Sequence, residues 1–201
     1  MPDSAKLGFV IATLFASVLS AGQECEALKS TSAPAVAEYL QHVGDDPAAS
    51  SCVQAAFHQI ATAPPELAVP TLITYIGYKR PLNKGERLGI FMHGNGPNVL
   101  YPAVHELFVI GSPAEPALIS FIAKNQDNAG SESKNAVYTL LLIHHGDVVS
   151  VLQELHKASM SSTSDEARNR LQGAARDALR WCDERTQAQC EDALKGSNGG
   201  G

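Results

Sequence analysis

Apolar residues recur along this chain at intervals of three and four, the period of one helix face, and no stretch shows sustained alternation of period two. Val53, Ala56, Phe57 and Ile60 form the first stripe. Pro64-Pro65-Glu66 then opens a helix carrying Leu72, Ile73 and Ile76. The clearest stripe predicts a helix over Val99 to Ile110, with Leu100, Ala103, Val104, Leu107 and Phe108 on one face and Gly111 as its stop. Ser112-Pro113-Ala114-Glu115 follows as a capping box, whose hydroxyl and carboxylate satisfy free amides, and leads into Leu118, Phe121 and Ile122. Ala136, Val137, Leu140, Leu141 and His144 make the next stripe; Gly146-Asp147 punctuates it, and Val148, Val151, Leu152 and Leu155 make another. A last long helix starts at the capping box Thr163-Ser164-Asp165-Glu166 and carries Ala167, Leu171, Ala174, Ala175, Ala178, Leu179 and Cys182 on one face. Thr186 caps a short final helix, and residues 196–201 form a flexible tail. The fold class read from this pattern is all-α, built from helix pairs.

The pairs repeat. Pro70-Thr71-Leu72-Ile73-Thr74-Tyr75-Ile76 matches Pro116-Ala117-Leu118-Ile119-Ser120-Phe121-Ile122 class for class, 46 residues downstream. Ala103-Val104 recurs as Ala136-Val137, 33 residues on. Periods in this range belong to helical solenoids, in which no hairpin buries its apolar face alone and each stacks on the next. The run from Ala103 to Ile119, with its Gly111-Ser112-Pro113 turn and Pro116-Ala117-Leu118-Ile119 opening, resembles a HEAT repeat, and the resemblance extends over roughly residues 50–158. It lacks the Asp and Arg positions of many HEAT units. The resemblance implies a short right-handed α-α solenoid with the last long helix as its C-terminal cap, and a protein-binding role.

Outside the repeats, the N-terminus reads as a signal peptide over residues 1–22. Lys6 precedes an apolar run from Leu7 to Leu19, and Ser20, Ala21 and Gly22 supply the small residues of a cleavage site. That run is shorter than the roughly 20 residues that cross a bilayer. Residues 23–195 then form a single helical domain, secreted or periplasmic, with no membrane attachment after cleavage. Glu24, immediately before Cys25, argues against a lipidated cysteine. The four cysteines contain no C-x-x-C spacing and suit an oxidising compartment; local geometry favours Cys25 with Cys52 and Cys182 with Cys190. Fifteen Lys and Arg against twenty-one Asp and Glu give a formal charge of -6, which argues against a nucleic-acid partner.

One segment breaks the rhythm. Residues 77–97 form an insertion where stacked hairpins need only a short connection, and they concentrate Lys79, Arg80, Lys84 and Arg87 beside Tyr78, Phe91, His93 and Asn95. These eight residues are the partner-binding candidates, with arginine and aromatic side chains as anchors for an acidic or peptide-like protein partner. A structural insertion packed over a repeat edge is the equal alternative.

Candidate chemistry is sparse. Phe91-Met92-His93-Gly94-Asn95-Gly96 superficially resembles the oxyanion loop of α/β-hydrolases, but the chain contains no G-x-S-x-G. His105-Glu106 resembles a single one of the several His-Glu pairs by which HEAT-type deoxyhypusine hydroxylases bind iron, and the equivalent positions in the next repeat are Tyr138-Thr139. His144-His145 ends a helix, where imidazolium favours the dipole; adjacent histidines diverge by about 100° and so rarely share an ion, even with His156 nearby. The sequence therefore predicts no catalytic residue, no metal and no cofactor. It predicts an exported binding or scaffold module, with a histidine-based metal protein or enzyme as one rival and a structural envelope protein as another.

Overall fold

The computed structural model describes residues 36, 38–40, 49–87, 96–125 and 130–196. The expected signal peptide, Cys25, Phe91, His93, Asn95 and residues 197–201 of the tail lie outside them. The protein is all-helical, with no strand among the described residues. The elements are α1 (Ser50–Ala61), α2 (Pro65–Thr74), α3 (Pro97–Leu100), α4 (Pro102–Ile110), α5 (Glu115–Lys124), α6 (Ser131–Ile143), α7 (Val148–Ser161), α8 (Asp165–Ala178) and α9 (Gln187–Lys195).

The predicted stripes are the core. Val53, Ala56, Phe57 and Ile60 of α1, Leu72 of α2, Ala103, Val104 and Leu107 of α4, and Leu118 and Ile122 of α5 are all fully buried, as are Leu152 and Leu155 of α7. The two matching sequence segments share a burial pattern. Leu72 and Leu118 are buried alike, Ile76 and Ile122 likewise, and α2 packs on α5. Ala103-Val104 and Ala136-Val137 are buried too, and α4 packs on α6. The registers differ at the helix starts: Pro116 lies in the first turn of α5, whereas Pro70 lies inside α2, a turn beyond its own proline opening at Pro65.

Three boundaries depart from the sequence expectation. The helix expected over Val99 to Ile110 is broken at Tyr101, which is extended (φ -115°, ψ 91°) between α3 and α4. The cause is Pro102, whose ring excludes the helical conformation from the residue before it and takes the first position of α4. The capping box at Ser112 does not form either. Gly111 (φ 77°) starts a single turn of 3-10 helix over Ser112–Ala114, so α5 begins at Glu115 without a side-chain cap. The axis turns through 112° there, so α5 does not run straight back along α4. At α8 the cap is Ser164, one residue after the expected Thr163, and its hydroxyl accepts from the Ala167 amide.

In the N-terminal part α1 packs against α2 and α4, α2 against α4 and α5, and α4 against α6. The C-terminal part is arranged differently. The helix expected as the terminal cap, α8, packs on α5, α6 and α7, and α9 lies on α7. Leu171, Ala174, Ala175 and Ala178 form its buried face, and small side chains let the neighbouring backbones come close. Arg170 joins α8 to the end of α5 by donating to the carbonyls of Ala123 and Lys124, both at 3.1 Å. The expected Cys182 to Cys190 bridge is present and ties α9 to the end of α8. Cys52 is also disulfide-bonded.

Candidate functional site

The basic segment begins in the core. Tyr78 is half-buried against Phe57 of α1, with ring centroids 5.6 Å apart, and lies edge-on to Tyr75. Two residues later the chain carries Arg80 inward. Its side chain is 3% exposed: Nε donates to the Val99 carbonyl at 2.8 Å, and one terminal nitrogen donates to Ser50 Oγ and, at 2.9 Å, to Glu86 Oε1. The Arg80 backbone amide donates to the Leu100 carbonyl at 3.0 Å.

Local sequence explains why those acceptors exist. Pro102 ends α3, so the carbonyls of Val99 and Leu100 have no continuing helix to accept from, and an arginine with several fixed donors satisfies such groups well. Glu86 completes the arrangement. It accepts from the Ser50 hydroxyl at 3.0 Å and from the Asn83 amide at 3.0 Å, while Asn83 Oδ1 accepts from the Glu86 amide. Burial acts to raise the Glu86 carboxyl, but the Asn83 amide, Arg80 and Ser50 together outweigh it and hold the group below its ordinary range.

This placement corrects one candidate and sorts the others. Arg80 was expected among the partner-facing residues; it is instead a buried clamp, because its partners come from 30 residues upstream and 19 downstream. Tyr78 is a packing residue with a half-covered ring. Lys79, Lys84 and Arg87 are exposed, with Arg87 Nε donating to the Leu82 carbonyl. Because Arg80 and Glu86 neutralise each other, these three exposed cations set the charge of the segment.

The histidine candidates separate as well. His105 is exposed on α4, whereas its neighbour Glu106 is 8% exposed, and the two do not act as a pair. Glu106 Oε2 has no hydrogen-bond partner and lies 3.5 Å from His58 Nδ1, in a cleft of about 490 Å³ between α1 and the α3–α4 junction.

His144 is drawn elsewhere. It caps the C-terminus of α6, in a turn where the Gly146 amide returns to the Leu141 carbonyl at 2.8 Å and the His145 amide to Leu142 at 3.0 Å. His145 occupies the left-handed position of that turn (φ 53°), the place usually held by glycine, and is exposed. The two imidazoles therefore diverge, as expected. His144 Nε2 is buried, without a hydrogen-bond partner, 3.6 Å from Glu115 Oε2 and 3.5 Å from Glu154 Oε2. In the sequence Glu115 shows only as a capping residue, and no local pattern marks Glu154. His156 lies against Gly196 and lines the same cleft as His144 and Glu154, but is not among the groups whose ligand atoms converge there.

Comparison with protein-family models, with curated proteins and with solved structures returns no match for this chain. Its function must be argued from these sites.

Proposed function

We propose that the chain is an exported helical-repeat protein of HEAT-like type that acts as a binding module, and that its contact surface is the basic segment from Lys79 to Arg87. The observation that carries this reading is the Arg80 clamp. A segment held by the hydrogen bonds of Arg80 to Ser50, Glu86 and Val99 presents its exposed Lys79, Lys84 and Arg87 from a fixed backbone. Preorganisation of that kind reduces the entropy lost on binding. Three cations on a chain of net charge -6 fit an acidic protein or peptide segment. The stacking of α2 on α5 and of α4 on α6, with their matching sequences, supports the repeat assignment. The Cys182 to Cys190 bridge supports an oxidising compartment.

Deleting the segment would remove the clamp and confound folding with binding. The informative variant reverses only the exposed charges, Lys79→Glu, Lys84→Glu and Arg87→Glu together. Crosslinking in the native exported fraction is expected to capture a partner with the wild-type chain, to lose it at least tenfold with the triple variant, and to weaken as salt rises, with thermal melts unchanged. Equal capture by both chains would overturn the reading.

A further inference from the structure

The geometry points to a divalent transition-metal site formed by Glu115, His144 and Glu154. The three ligand atoms come from three helices: the first turn of α5, the C-cap of α6 and the second turn of α7. All lie within 4.8 Å of one another.

An ordinary ion pair does not account for the arrangement. A protonated imidazole would donate to one carboxylate at about 2.7–2.9 Å. Here Nε2 stands almost equally far from both, at 3.5 and 3.6 Å, beyond hydrogen-bonding range of either. Among the described residues neither carboxylate pairs with a lysine or arginine, so two like charges converge on one buried nitrogen. Zinc bonds of about 2.0–2.2 Å in a tetrahedron hold their ligand atoms about 3.3–3.5 Å apart. The two separations sit close to that spacing, and the carboxylates need only turn toward each other to complete a face.

The donor set selects the ion. One imidazole nitrogen with two carboxylate oxygens suits zinc and its first-row neighbours, whereas magnesium and calcium prefer oxygen alone. Three protein ligands leave a fourth position open. Beside it runs a cleft of about 580 Å³ whose lining includes His144, Ser150, Gln153, Glu154, His156 and Lys157, with room for water or a small ligand there. Among the described residues Cys52, Cys182 and Cys190 are all disulfide-bonded, so none of these offers a thiol to compete for the metal.

The test uses the full-length chain without a polyhistidine tag, disulfides intact, treated with chelator and titrated with zinc chloride by calorimetry. One zinc per chain is expected, with a raised melting temperature because the ion joins three helices, and with no competition from excess magnesium. His144→Ala, Glu115→Gln and Glu154→Gln should each weaken binding at least tenfold, and His156→Ala should change it less than twofold. Since all three ligands are part-exposed, these variants keep the fold, which circular dichroism checks. No saturable binding at micromolar zinc, or binding that His144→Ala and Glu154→Gln leave unaltered, would sink the proposal. So would a loss confined to His156→Ala.

Discussion

The side-chain amide of Asn135, on α6, donates to the carbonyl oxygen of Ile76 at 2.8 Å, joining residues 59 apart in sequence where both are buried. Asn135 is itself held by its turn of helix, since the Thr139 hydroxyl donates to the Asn135 carbonyl at 2.7 Å. Removing the donor strands a buried carbonyl, so Asn135→Ala is expected to cost about 2–3 kcal/mol in urea unfolding. Asn135→Asp should cost more at pH 7, because it aims a carboxylate at a carbonyl. Burial raises the pKa of such a carboxyl in the folded state, so part of that loss should be recovered on acidification, when the acid regains an O–H donor.

Arg80 gives the second prediction. Arg80→Ala leaves Glu86 without its cation and the Val99 carbonyl without its donor, and should cost about 2–3 kcal/mol; Glu86 is part-exposed, which tempers the effect. Arg80→Lys should not rescue it, since one ammonium cannot match the two-sided guanidinium geometry. Chemical denaturation of the three chains decides this.

The same clamp fixes a pH dependence. Glu86 has its carboxyl pKa lowered on folding, so its stabilisation is fully present above the ordinary value of 4.5 and is lost as pH falls through the folded value. Glu86→Gln should flatten that acid limb of the stability curve. Asp147 contributes in the same direction, its carboxyl lowered by the Ser150 hydroxyl and amide, and accounts for part of what remains.

His145 holds a positive φ that favours glycine. His145→Gly should raise stability by about 0.5–1 kcal/mol, and His145→Val should lower it by about 1–2 kcal/mol, read from thermal melts at fixed pH.

Opening the Cys182 to Cys190 bridge, eight residues apart, should cost about 2–3 kcal/mol by loop entropy, with Cys182→Ser/Cys190→Ser compared in denaturant. Hydrogen exchange should show the loss concentrated in α9, whose Cys190 and Ala193 are its buried residues.

Much of the fold was legible because a helix writes its buried face into the sequence at a fixed spacing. Leu72 and Leu118, or Val104 and Val137, could be placed before any coordinate was known. Boundaries were harder. The apolar stripe runs straight through Tyr101, and Pro102 interrupts it through backbone sterics that hydrophobicity does not register. The site residues were the least legible. Arg80 looks like any surface cation until its acceptors arrive from distant segments, and Glu115, His144 and Glu154 share no local spacing at all. His144 and His145 show the same limit from the other side: adjacency suggested a pair, while the helix end sends one imidazole inward and the other to solvent.

The break at Pro102 ties two positions that are far apart in the chain. A relative with a helix-forming residue at 102 would let α3 and α4 fuse, the Val99 and Leu100 carbonyls would join the continuous ladder, and a buried arginine at 80 would keep Ser50 and Glu86 but lose the carbonyl that its Nε donates to. Arginine at 80 and proline at 102 are therefore expected to be inherited and lost together, a covariation that any collection of homologous sequences would expose.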